Sequence, residues 1–175
     1  TAVAGRRGIR IDLRRLNGAE IFAKAEFLNP GGSVKDRVAL HIVQRSEKQG
    51  ILKPGMTIAE ATSGNTGIGF ALVGVQRGYR VVIVMPENMS EERKKIILAL
   101  GAELICTPAG ESISGAVERV RQLAAADNNV FVPGQFVNPL NPEAHYLHTA
   151  PEIWEQMEGN VDAFVAGVGS GGTLG

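Results

Sequence analysis

The sequence predicts an α/β protein built on an open parallel sheet flanked by helices. Three observations predict it. From residue 57 onward, strand-length segments alternate with segments of helical period, the rhythm of right-handed βαβ units. One strand, Val81-Val82-Ile83-Val84-Met85, is apolar throughout, as expected where helices cover both faces of a sheet. Glycines fall where elements stop, at Gly50, Gly78 and Gly101, and do not form a low-complexity tract.

Taken in order, residues 1–18 carry the weakest pattern. Gly5-Arg6-Arg7-Gly8 is basic, and the alternation of Ile9, Ile11 and Leu13 predicts a short strand. Alternation resumes over 21–27 and ends at Asn29-Pro30-Gly31-Gly32, a strand followed by a turn. The first helix is expected over 34–49, with Ser33 and Asp36 at capping-box spacing and Ser33 as N-cap. Its buried face is Val38, Ala39, Ile42 and Val43. Lys53-Pro54-Gly55 turns the chain into a strand over 57–61. The loop 62–67 opens a helix with Ile68, Ala71, Leu72 and Val75 inward. After strand 81–85, Ser90-Glu91-Glu92 places acids in the first turn of a helix whose buried stripe is Ile96, Ile97 and Leu100; Glu91 to Lys95 form its solvated start. A strand over 102–106, a helix over 112–126 facing inward through Val117, Val120 and Leu123, and a strand over 130–132 complete one α/β lobe. A polar loop over 133–142 follows, then a helix over 143–158 interrupted at Ala150-Pro151, then a strand over 161–166. Cys106, Ile153, Trp154 and Met157 are expected to pack in the core.

Bulk properties narrow the function. Basic and acidic residues both number 18, and a formal net charge of zero argues against nucleic acid or an acidic membrane as principal partner. No apolar run is long enough to span a bilayer. The single cysteine precludes an internal disulfide and fits a reducing, cytoplasmic setting. The chain opens on Thr1 without a signal-peptide pattern, so its start reads as trimmed. His145 and His148 stand three apart on a helix, but no cysteine or carboxylate cluster joins them, and no metal is expected.

Three stretches carry chemistry. In Pro30-Gly31-Gly32-Ser33-Val34-Lys35-Asp36-Arg37, Lys35 falls in the first turn of a helix, where the dipole disfavours a cation and favours the neutral, nucleophilic amine. Such a lysine suits Schiff-base chemistry, although most lysines are simply solvated. Thr62-Ser63-Gly64-Asn65-Thr66-Gly67 joins the end of a strand to a helix, the edge of a parallel sheet where ligands bind, and its hydroxyls, amide and glycines suit a carboxylate. Gly169-Ser170-Gly171-Gly172-Thr173 follows an apolar segment and offers backbone N–H groups and hydroxyls to a phosphate. It lacks the Gly-Lys-Ser/Thr ending of a P-loop. A lysine for an aldehyde, a cradle for a phosphate and a nest for a carboxylate together describe pyridoxal 5′-phosphate with an amino acid.

On these residues the chain resembles the cysteine synthase (O-acetylserine sulfhydrylase) group of fold-type II pyridoxal-phosphate enzymes. Asn29-Pro30-Gly31-Gly32-Ser33-Val34-Lys35-Asp36-Arg37 is similar to the family's lysine motif, Glu60-Ala61-Thr62-Ser63-Gly64-Asn65-Thr66-Gly67 to its substrate loop, and the final glycine loop to its phosphate site. Gly134-Gln135-Phe136, with Asn138-Pro139 and His145-Tyr146 after it, resembles a third motif. The resemblance implies that Lys35 holds the cofactor as a Schiff base and then moves the substrate α-proton. It implies that Asn65 bonds the cofactor's ring hydroxyl, and that Gly169, Ser170, Gly171, Gly172 and Thr173 hold its phosphate. Thr62, Ser63, Gly64, Thr66 and Gln135 would bind the substrate. The implied reaction is β-replacement, in which sulfide displaces acetate from O-acetylserine to give cysteine.

The resemblance also implies two lobes: residues 1–39 in a larger cofactor lobe, 40–139 as a smaller mobile lobe, and 140–175 returning to the larger one. It implies a homodimer, and a capacity to dock serine acetyltransferase. The family's Thr-Pro-Leu stretch has no match at residues 9–16, and its serine beside the pyridine nitrogen has no counterpart. The chain therefore reads as lacking the second half of the larger lobe, leaving strand 161–166 with an open edge. O-phosphoserine as donor, or homocysteine as acceptor in a cystathionine β-synthase, stays open within the same chemistry. An inactive fragment or scaffold is the alternative of another class.

Overall fold

A computed structural model describes residues 8–11 and 20–175. Leu13 and the Gly5-Arg6-Arg7 segment lie outside them. Two short antiparallel strands, β1 (Gly8–Ile11) and β2 (Ile21–Lys24), come first. A 3₁₀ turn over Glu26–Leu28 then takes the place of the last residues expected as strand.

The body of the fold is a four-stranded parallel sheet. Its strands are β3 (Thr57–Ala61), β4 (Arg80–Pro86), β5 (Glu103–Thr107) and β6 (Val130–Phe131), in the order β5-β4-β3-β6. Between them run α2 (Asn65–Gln76), α3 (Glu91–Ala99) and α4 (Ser112–Ala126), with α1 (Lys35–Lys48) preceding β3. The two-residue side-chain period sorts the strands into two faces. Ile58, Val81, Ile83 and Met85 pack with α1, α2 and Ile97 of α3. Ala59, Ala61, Val82 and Val84 pack with Ala116 and Val120 of α4. Helices thus cover both faces, and all of β3 is buried.

Within α1, Val38, Ala39, Ile42 and Val43 are fully buried, each valine or isoleucine contributing roughly 1.5–3 kcal/mol. They face α2, which lies between α1 and the sheet and is buried on nearly every side. Glycines permit that close fit. A Cβ on Gly69 would sit 2.9 Å from the Lys35 carbonyl oxygen, and one on Gly74 2.6 Å from Val81 Cγ2.

The chain closes with α5 (Leu140–Ala144), a π-helical turn (His145–Thr149) and α6 (Ala150–Gln156). The expected interruption at Ala150-Pro151 takes the form of that wide turn. Proline has no N–H to give and crowds the carbonyl four residues back, and the π turn relieves both demands.

Four expectations are corrected. Residues 161–166 form no strand, because an extended segment without a neighbour has no ladder to join; Val165 is 90% exposed. Trp154 is 61% exposed on α6, not in the core. Cys106 is exposed, because β5 is the sheet edge and its outer positions are open. Ile96 faces solvent while its neighbour Ile97 is buried, so the buried stripe of α3 is narrower than its apolar residues suggested.

Candidate active site

The first turn of α1 is held from several sides, and Lys35 is its first residue. Asp36 is completely buried and its carboxylate accepts from the Gly31 N–H at 2.5 Å. Arg37 pairs with Glu26 at 2.8 Å and with Glu152 of α6 at 2.7 Å. The capping box is not formed as expected. Ser33 Oγ accepts from the Lys35 N–H at 3.2 Å, two residues on, and Asp36 is drawn to Gly31 instead. Burial lowers the Lys35 pKa, which favours the neutral amine.

From there Lys35 Nζ reaches Ser170 Oγ at 3.1 Å, joining residues 135 positions apart. Val34 and Lys35 form one wall of a cleft of about 170 Å³, and residues 167–174 form the other. The positions of a Cβ on Gly167, Gly169 and Gly171 are open space, so the glycine backbone borders the cleft unobstructed.

The loop 62–67 lies where the sheet topology reverses. The chain runs outward from β3 to β4 to β5, then crosses back to β6 on the other side of β3. The loops leaving β3 and β6 therefore part at their carboxyl ends, the crevice where open α/β sheets bind ligands. Across it, Thr66 Oγ1 donates to Gln135 Oε1 at 2.6 Å, and Gln135 Nε2 donates to the Ala61 carbonyl at 3.3 Å. Thr62 Oγ1 accepts from the Gly64 N–H at 3.0 Å. Thr62, Thr66 and Gln135 are buried, whereas Ser63 and Asn65 are exposed at the start of α2.

Two side chains with no predicted role organise this crevice. Glu60, 2% exposed, accepts from the Gly134 N–H at 2.8 Å and the Gln135 N–H at 3.3 Å. The ladder between β3 and β6 ends at Ile58 and Phe131, and the Glu60 carboxyl takes over where backbone pairing stops. Burial pushes its pKa up to about 7, against the two N–H donors. Asn141 of α5 bonds both the Gln135 carbonyl and Ser170. Arg93, expected in a solvated helix start, lays its stem against Gly64. Only Glu60 stood in a recognised motif; nothing local marks the others.

The two histidines serve separate contacts. His145 Nδ1 meets Thr149 Oγ1 at 3.0 Å, and burial, aided by the Lys35 charge, pushes its pKa down to about 4. His148 meets His41 of α1 at 3.2 Å.

A lysine facing a glycine-rich loop, with a crevice between the loops that leave β3 and β6, points to a class of protein, and the comparison with known proteins names it. Residues 9–175 match the family described as "Pyridoxal-phosphate dependent enzyme", and the chain belongs to that family. It is 52% identical over 159 residues to the cysteine synthase of Staphylococcus aureus (strain Mu50 / ATCC 700699), covering 90% of this chain and 51% of that protein. The cysteine synthase (OASS) structure from Entamoeba histolytica superimposes with a TM-score of 0.90 at 45% identity, covering 98% of this chain and 52% of that one. The O-acetylserine dependent cystathionine β-synthase of Helicobacter pylori does so with 0.91 at 39%, covering 99% and 60%. The chain spans about half the length of the curated relatives it matches.

The cofactor this family implies, pyridoxal 5′-phosphate, fits the residues present. Burial lowers the Lys35 pKa, the Ser170 hydroxyl stands beside its amine, and Gly167, Gly169 and Gly171 border the cleft at positions where a Cβ would meet nothing within 4 Å.

Proposed function

We propose that the protein acts as a cysteine synthase, replacing the acetate of O-acetyl-L-serine with sulfide to yield L-cysteine and acetate. The observation that carries this reading is the meeting of Lys35 Nζ and Ser170 Oγ at 3.1 Å, which brings an amine to an anion cradle. The 52% identity to a cysteine synthase supports the choice of reaction.

In this reading Lys35 holds the cofactor, and Gly169, Ser170, Gly171, Gly172 and Thr173 hold its phosphate. Asn65, at the positive end of α2, hydrogen-bonds its ring hydroxyl. When bound, the cofactor supplies an electron sink for charge developing at the substrate α-carbon. Thr62, Ser63, Gly64, Thr66 and Gln135 take the substrate α-carboxylate, favoured by the α2 N-terminus. Once the substrate amine has taken its place on the cofactor, the released Lys35 amine would accept the α-proton and keep it at Nζ while the bond from the β-carbon to acetate breaks. Sulfide then bonds to that carbon, and Nζ returns the proton to the α-carbon. Residues 40–139 form a smaller mobile lobe that closes on the carboxylate and excludes water, while 1–39 and 140–175 belong to a larger cofactor lobe. A cytoplasmic homodimer that docks serine acetyltransferase belongs to the same reading.

One observation favours a second acceptor. The Helicobacter pylori cystathionine β-synthase, also O-acetylserine dependent, matches the fold as well as the cysteine synthase does, which makes homocysteine the competing nucleophile. Absorption spectra with pyridoxal phosphate test the site: a visible band of lysine-bound cofactor that shifts on adding O-acetylserine is expected. Absence of that band would favour a scaffold role. Product analysis with sulfide and with homocysteine then separates the two acceptors.

A further inference from the structure

Asn141 is the second residue of α5 and only 1% exposed. Its place is set by Asn138, whose Oδ1 accepts from the Leu140 N–H at 2.9 Å and whose Nδ2 donates to the Pro133 carbonyl at 2.7 Å. From there Asn141 Nδ2 donates to the Gln135 carbonyl at 2.9 Å and to Ser170 Oγ at 2.9 Å. The orientation of the carboxamide is dictated, because a backbone carbonyl only accepts and must be met by nitrogen. Both Nδ2 hydrogens are then committed, one to each loop.

The consequence for Ser170 is directional. A serine hydroxyl has two acceptor lone pairs and one hydrogen. Asn141 Nδ2 occupies one lone pair, so the hydroxyl hydrogen points away from Asn141 and can donate to an anion in the cleft. Lys35 Nζ meets the same oxygen at 3.1 Å in this structure, and when Lys35 holds the cofactor the Asn141 bond alone keeps that direction. On the opposite side, Gln135 is fixed by Asn141 at its carbonyl, by Glu60 at its N–H, and by Thr66 and Ala61 at its side chain. Gly172 fits the same arrangement. Its φ is not in the left-handed region, yet any Cβ there would overlap the Asn141 carboxamide.

We infer that Asn141 is a positioning residue that turns the Ser170 hydroxyl toward a bound phosphate and holds the Gln135 backbone for an amino-acid carboxylate, so that one side chain tunes affinity at both loops. The identity of the two ligands rests on the cysteine synthase reading. The test titrates pyridoxal phosphate into wild type, Asn141→Ala, Asn141→Leu, Ser170→Ala and the Asn141→Ala/Ser170→Ala double variant, with thermal melts to verify folding. L-serine binding to the cofactor-loaded proteins is measured by calorimetry. Both Asn141 variants should weaken pyridoxal phosphate and L-serine by roughly tenfold to a hundredfold. Ser170→Ala should weaken the cofactor alone, and the double variant should lose less than the sum of the single losses. Gly172→Ala, which pushes on an intact Asn141, should reproduce the cofactor loss even if the Asn141 variants fold poorly. Wild-type affinities in Asn141→Leu and Gly172→Ala, or strictly additive losses in the cycle, overturn the inference alone. A folded wild type that binds no pyridoxal phosphate overturns the cofactor reading, and this inference with it.

Discussion

At the scale of single residues, burial decides which protonation state each group offers. Lys35 stands at the positive end of α1 and is partly removed from water, and both effects penalise its ammonium form. Lys35→Arg keeps the charge and the reach but loses the exchangeable neutral amine. It should abolish the visible band of lysine-bound cofactor and lower turnover by roughly 10²–10⁴-fold, read by absorbance and initial rates. Glu60 gives a stability prediction with a definite sign. Its folded pKa, about 7, lies above the ordinary glutamate value of 4.5, so the folded state binds the extra proton between these values. The stabilisation is complete below about pH 4.5 and is lost as pH rises through 7, at most about 3 kcal/mol. His145 works against it, because its pKa is depressed to about 4 and its share is lost as pH falls. The difference between wild type and Glu60→Gln isolates the glutamate. Melting curves should show wild type losing ground to the variant from pH 5 to pH 8, and a constant gap would refute the assignment. Lys35, Ser170, Thr66 and Gln135 could be put forward from the sequence because each stands in a short motif, and the fold brings Lys35 to Ser170 and Thr66 to Gln135. Glu60 and Asn141 had no legible role, because their bonds reach Gly134 and Ser170, 74 and 29 positions away, and no sequence period encodes such pairings.

At the scale of elements, the crossing of α1 over α2 sets the distance between Lys35 and the loop 62–67. Gly69 lies one turn beyond Asn65 and directly against the Lys35 carbonyl. Alanine in mid-helix ordinarily improves on glycine by roughly 0.5–1 kcal/mol. Here its methyl would meet the Lys35 oxygen at 2.9 Å and Ala39 Cβ at 3.2 Å, backbone and packed core that cannot easily give way. Gly69→Ala should therefore destabilise by about 1–3 kcal/mol in urea denaturation and weaken cofactor binding by moving Lys35. Gly110→Ala, where a Cβ meets nothing within 4 Å, is the control and should be close to neutral. The helices and strands of the parallel sheet were legible to within a residue or two, since helical and strand periods hold through Thr57–Ala61, Arg80–Pro86 and Ser112–Ala126. The strand expected over 161–166 fails for a reason periodicity cannot express. Val161, Phe164 and Val165 are strand-forming residues, but a strand exists only where a neighbour supplies its hydrogen bonds. The capping box at Ser33 fails similarly, because Asp36 had a better donor in Gly31.

At the scale of the whole molecule, the site is assembled from parts of very different firmness. Lys35 and the Gln135 loop stand on a buried body, since β3, α1 and α2 pack as one layered core. Residues 161–175 are exposed over most of their length, with Gly172 the buried residue among them, and Ser170 ties them to Lys35 and Asn141. Segments with few buried contacts open at low free-energy cost, so this one should be the first to yield to a protease. A phosphate ligand held by 169–173 binds only the closed arrangement and must disfavour opening by the ratio of ligand to its Kd. Chymotrypsin should therefore cut first at Phe164, which is half exposed, and pyridoxal phosphate at a hundred times its Kd should slow that cut by about a hundredfold. Mass spectrometry of timed digests reads both the position and the rate. Equal rates with and without pyridoxal phosphate, in a protein that binds it, would mean that the phosphate is held elsewhere and that the glycine-rich loop is only a turn. Slowing at Phe164 alone would instead tie the exposed 161–175 segment to the ligand, as the Ser170 contact with Lys35 leads one to expect.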